Sequence, residues 1–224
     1  MQTMQRVSDA LPELGNRGVE FFRRRLGRFT RFEQILALLL MGIPCLFVAV
    51  GDNTPLTGEC GPNSGAGCRD SISAFHDLSF EPVFYMPMTV AAFMFITNAV
   101  VRAEHVWNAL AGISQAGLVF FDHDDFTALH GAFATAFFAV TMFTVAWFLP
   151  KDLEGTTGAR VPITGRRIAI AAALLVLQVG LFVIVLRNFN LLVAEAVQLW
   201  VVAGHYILHS IKHAQRDAAI AAAS

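Results

Sequence analysis

Across residues 168–186 the chain carries no charged side chain. Such a run is too apolar for a water-exposed surface, and it is about as long as a helix needs to cross a bilayer. In hydrocarbon the backbone must satisfy its own polar groups, which a helix does within itself. This stretch commits the chain to a membrane, and everything else must fit around it.

The pattern recurs. Apolar runs at 34–50, 83–101, 106–121, 126–149 and 191–211 bring the expected spans to six. Only 15% of residues are charged, against about a quarter in soluble domains. Pro44 lies inside the first run, where spanning helices tolerate proline if neighbours satisfy the freed carbonyl, and Pro87 is expected to break the second run early. The third run is short and carries Asn108 and Gln115. The expectation is an all-α integral membrane bundle of six transmembrane helices over 33–213, with no room for a second domain.

The net charge of −1 gives no basic field for nucleic acid. The cations are clustered instead. Residues 1–32 form a basic amphipathic segment in which Arg17, Arg23, Arg24, Arg25, Arg28 and Arg31 alternate with Phe21, Phe22, Leu26 and Phe29. That composition suits an anionic leaflet, and arginine-rich flanks stay in the cytoplasm. The first apolar run begins only after Arg31, so no cleaved signal is expected. Counting across from there puts Arg160, Arg166, Arg167, Lys212 and Arg216 inside, and the loop 51–82 outside. Both termini, including the tail 214–224, are then cytoplasmic, in the cell (inner) membrane. The outer loop is crowded with Gly, Pro, Asn, Thr and Ser, and Cys60 and Cys68 enclose its Gly-rich part. On an oxidising side these two would form a disulfide. A two-thiolate metal pair is the alternative, but no third cysteine lies near enough to complete it.

Small residues mark the third and fourth runs, at Gly112, Gly117, Gly131, Ala132, Ala134 and Ala136, where close helix approach would need them. Phe133, Phe137, Phe138 and Phe143 read as core packing or lipid-facing bulk. Cys45 reads as a small core filler, and the alanines of 218–223 as a frayed end.

Two polar constellations remain. The outer one joins His76, Asp77, Asp122, Asp124, His130 and Glu195, with Asp70, Ser71, Ser73, His123 and Asp125 nearby. Ionisable groups at bilayer depth are costly and are functional candidates by default. Imidazoles with carboxylates could hold a divalent metal and activate water, or could form a hydrogen-bonded plug pinning the loop to the bundle. The inner constellation is His105, His205 and His209, with His213 and Glu104. His205 and His209 share a helix face. That spacing suits a metal pair, though histidines beside Lys212 also suit plain headgroup contact. Bis-histidine haem would need two histidines at matched depth, and only His105 with His205 approaches that.

Three stretches carry resemblances. Ser71-Ile72-Ser73-Ala74-Phe75-His76 resembles the SISxYY opening of a span in a group of uncharacterised bacterial membrane proteins, similar in layout to the six-span DRAM/FRAG family. Residues 129–138 resemble that group's histidine followed by small residues and a Phe pair. Ala194-Glu195 resembles its acidic residue in the last span, although Ala196 stands where the family usually has Trp. The resemblance implies a six-helix fold with the long first loop outside. Eukaryotic members are associated with autophagy regulation and glycolipid-anchor remodelling. The His205-xxx-His209 pair also invites comparison with ceramidase-like membrane hydrolases, which further need a Ser-xxx-His and an aspartate at the same depth. Ser73 and His76 have the wrong spacing for that and fall on the opposite side.

The expectation for function is a non-catalytic subunit that binds membrane lipids or a membrane-protein partner, its outer cluster structural. The alternative is a metal-assisted enzyme acting on lipid headgroups. A transporter fits less well, since charge within the spans is scarce and no inverted repeat is visible.

Overall fold

The computed structural model describes residues 31–50, 71–72, 82–101, 106–121, 125–154 and 162–223. Six helices make up these residues: α1 (Arg31–Val50), α2 (Pro82–Val101), α3 (Val106–Phe120), α4 (Thr127–Leu153), α5 (Gly165–Asn188) and α6 (Leu191–Ala223). Four of them, α2, α4, α5 and α6, are long and apolar enough to cross a membrane, which marks a membrane protein. The apolar parts of α1 and α3 are shorter. Cys60, Cys68, His76, Asp77, His105, Asp122 and Asp124 lie outside the described residues.

Local chemistry sets several boundaries. Asn190 caps α6: its side-chain oxygen accepts from the Val193 amide at 2.9 Å, filling one of the donors a helix start leaves open. Thr164 caps α5 by accepting from Arg167 N at 3.4 Å. Pro87 does not break α2, which is continuous from Pro82 to Val101. Pro150 does not end α4, which runs on to Leu153 and closes with Glu154 N–H donating to Pro150 O at 3.0 Å. Lys151 and Asp152 are therefore helical, not part of a loop. At the other extreme α6 stays helical through Ala223, where a frayed end was expected.

Helix neighbours follow the order α1–α2–α3–α4–α6 and back to α1, closing a five-helix ring. α5 packs outside it, against α4 and α6. Gln178 is the buried residue of α5. Its amide donates to Met142 O at 3.1 Å, and Gln198 donates to its oxygen at 3.4 Å. Much of α5, including Val176, Leu177 and Ile184, faces outward, as a helix lying in lipid would.

Inside the ring, Phe95 forms the middle of the core. It meets Phe137 at 5.9 Å and Tyr206 at 5.8 Å, both edge-on. The tightest helix approach is at α3. A Cβ on Gly112 would lie 2.7 Å from Ala92 O, and one on Gly117 would lie 2.4 Å from the Phe133 ring. Small residues are needed at those two positions, as expected. The expectation fails at Gly131, which has open space around it, and at Ala132, which is exposed. Cys45 is also exposed rather than a core filler. The fourth-run phenylalanines pack inward: Phe137 is buried, and Phe133 and Phe138 pack against the core.

Candidate functional site

The ring has a polar cluster at each end. The near end is where α1 begins and α6 finishes; the far end is where α4 and α6 begin. Fourteen residues separate Glu195 from His209 along α6, about 20 Å at the helical rise. The Phe95 layer lies between.

At the far end, all five ring helices line one cavity. Leu40, Ile43, Phe84, Met88, Leu118, Phe137 and Leu199 make its wall apolar, and His130, Glu195 and Gln115 are the polar groups in it. Each is positioned by a specific bond. His130 sits in the first turn of α4, with its Nδ1–H donating to Phe121 O at 2.8 Å. Glu195 accepts from Ile72 N–H at 2.7 Å through Oε2, which ties that residue to α6. Gln115 donates to Met88 O at 3.2 Å. Its Oε1 finds no hydrogen-bond partner among the described residues, although the residue is 2% exposed. The cavity and its mouth enclose about 480 Å³ between atoms, of which about 30 Å³ admits the centre of a water molecule. That is room for about two waters or one small polar group, not a whole acyl chain. The structure thus brings His130 and Glu195 to one cavity; the other outer candidates lie outside the described residues.

At the near end, a chain of titratable groups is buried across three helices. Asp152 of α4 is 1% exposed. Its Oδ1 accepts from His209 Nδ1–H at 2.9 Å, and its Oδ2 lies 3.4 Å from His205 Nδ1. That bond fixes the His209 tautomer and turns Nε2 toward Glu33 of α1, at 3.8 Å from Oε1. Two acceptors facing each other would repel, so a proton on either one makes the contact favourable. The His213 ring meets His209 edge-on at 4.5 Å. One turn deeper, Tyr206 OH donates to Asn108 Oδ1 of α3. Headgroup contact is therefore the wrong reading of these histidines: His205, His209 and His213 are all buried, because Asp152 and Glu33 supply partners inside the bundle.

Asp152 and Glu33 are the functional candidates that sequence reading missed. Among the described residues no three His, Cys, Asp or Glu side chains are arranged to hold a metal ion. His209 hydrogen-bonds the Asp152 carboxylate and His205 lies beside its other oxygen, instead of the rings converging with it on a common point. This arrangement holds His209 in one orientation between two carboxylates, Asp152 and Glu33.

No curated protein and no solved structure matches the chain. A family profile does match, over residues 42–210, a stretch that includes every cavity-lining residue except Leu40 and all of the near-end chain but Glu33 and His213. The chain belongs to DUF7103, a family of unknown function.

Proposed function

We propose that this chain is a non-catalytic lipid-binding membrane protein that takes the polar end of a lipid into the far-end cavity. One observation carries the reading: an apolar cavity inside the helix ring holds three polar groups, one with an acceptor left over. A buried acceptor without a partner costs about 1–3 kcal/mol. A ligand hydroxyl or amine beside Gln115 Oε1 would recover that cost, while the apolar wall accepts the neighbouring methylenes. Glu195 and His130 add an acceptor and an imidazole for the same headgroup.

The proposal includes six spans, with the near end in the cytoplasm and the cell membrane as the site. The basic residues support that orientation: Arg166 and Arg167 sit at the near end, at the start of α5, together with Lys212 and Arg216 at the end of α6.

Gln115→Leu tests the reading, because it fills the site and removes the lone acceptor. Purified protein is released from nanodiscs and its retained lipid counted by native mass spectrometry. Retention is expected to fall about tenfold while thermal stability rises by about 1 kcal/mol. Unchanged retention would sink the proposal.

A second reading, an enzyme acting on lipid headgroups, is favoured by one finding. An aspartate lies at the depth of the His205-xxx-His209 pair and fixes a histidine tautomer, as a general base requires.

A further inference from the structure

A second cavity opens at the near end, on the outside of the ring between α4 and the start of α5. It is lined by Trp147, Pro150, Lys151, Pro162, Ile163 and Arg167. Three features give it a chemistry.

The first is charge. Lys151 and Arg167 line this corner, and among the described residues Glu154 is the carboxylate paired with them, on Arg167. Asp152 is turned to His205 and His209. The amides at the start of α5 add partial positive charge.

The second is that a lining cation already holds an anion. Glu154 pairs with Arg167, whose side chain is 17% exposed. The Glu154 carboxylate itself is 44% exposed, so a competing anion can reach the same guanidinium.

The third is the wall. Trp147 stacks on Phe143 at 5.9 Å and 11°, and Lys151 rests over the Phe148 ring at 5.0 Å. Pro150, Pro162 and exposed Ile163 complete an apolar rim. Above it runs the outward apolar face of α5, with Ile168, Val176 and Leu177. A free anion has no use for that surface, whereas acyl chains do. Tryptophan and basic side chains at a helix end also mark the depth of headgroups.

We infer that this corner is a binding site for an anionic phospholipid, its phosphate held between Lys151 and Arg167 and its chains lying along α5. Basic pockets between spanning helices are a recurring way to hold anionic headgroups. The site is separate from the far-end cavity and takes a different headgroup class.

The test uses the full chain in nanodiscs of phosphatidylglycerol and phosphatidylcholine in equal parts, with retained lipids read by native mass spectrometry. Wild type should favour phosphatidylglycerol by about tenfold. Lys151→Gln with Arg167→Gln should erase that preference, while leaving intact the retention that Gln115→Leu removes. Glu154→Gln should raise the preference severalfold, because it removes the competing carboxylate; a purely structural Arg167–Glu154 pair predicts no gain. Equal retention of the two lipids by wild type, or no effect of either substitution set, overturns the site. So does displacement of the bound lipid by millimolar inorganic phosphate, which would assign the corner to a soluble anion.

Discussion

Asp152→Ala is expected to destabilise the protein by about 3–5 kcal/mol, as removing one member of a buried polar pair does. The reason is the number of groups that depend on one carboxylate. Asp152 takes the His209 Nδ1–H at 2.9 Å and faces His205 Nδ1 at 3.4 Å. Both imidazoles are buried on α6, so truncation removes the carboxylate that their Nδ1 atoms face. The link between α4 and α6 at the near end goes with it. Asp152→Asn should be much milder, costing about 1 kcal/mol. The amide oxygen still accepts from His209, and the amide N–H₂ can donate to His205 once that ring takes its other tautomer.

Unfolding in mixed micelles, followed by circular dichroism, gives the comparison. A double-mutant cycle with His209→Leu adds the decisive number. The two losses should fall short of additivity by about 1–3 kcal/mol, as contacting residues do. If they add within a few tenths of a kcal/mol, the pair is not coupled and the near-end chain is no network. The same variants separate the two functional readings. Under the enzyme reading Asp152→Asn loses headgroup turnover while remaining folded. Under the lipid-binding reading it has no turnover to lose, and lipid retention at the far end is unchanged.

How much of this was legible beforehand depended on where each signal lay. The helices could be read because apolar runs near bilayer length have few other solutions. All six runs coincide with helices to within a few residues at most boundaries. His130 and Glu195 could be picked out because an ionisable group inside an apolar run is conspicuous. Asp152 was hidden by Pro150. A proline followed by Lys and Asp reads as the end of a span, and nothing nearby says that the helix continues one more turn. Its partners on α6 lie 53 and 57 residues away in sequence, so no local spacing could join them. Glu33 was hidden in a similar way, by the arginines before it, which made the start of α1 look like a solvated flank. Buried side-chain pairs between distant helices leave no periodicity, and that is why the near-end network needed the fold.

Gly112→Ala is expected to be the most damaging single-methyl addition in the bundle, at about 2–3 kcal/mol, the upper part of what overpacking costs. The added Cβ would sit 2.6 Å from Ile96 Cγ1, 2.7 Å from Ala92 O and 3.0 Å from Ile96 N. Two of those three atoms are backbone of α2. A side chain could rotate away, but a helix backbone has to translate. Ala91, Ala92 and Ala111 keep this seam close, so rotating the Ile96 side chain away would still leave the Ala92 O and Ile96 N contacts. Gly117→Ala makes a numerically closer contact, 2.4 Å, but with the ring of half-buried Phe133. That ring stacks on Phe121 at 5.4 Å and 5°, and it can swing outward at the loss of the stack. Its cost should be about 1 kcal/mol, and Phe133→Leu should rescue it. Phe133→Leu should do nothing for Gly112→Ala. The order of the two glycines therefore distinguishes backbone contact from side-chain contact. If Gly112→Ala unfolds within about 0.5 kcal/mol of wild type, α2 and α3 do not approach as closely as described. The far-end cavity, which draws Phe84 and Met88 from α2 and Gln115 from α3, would then lose the seam that shapes it.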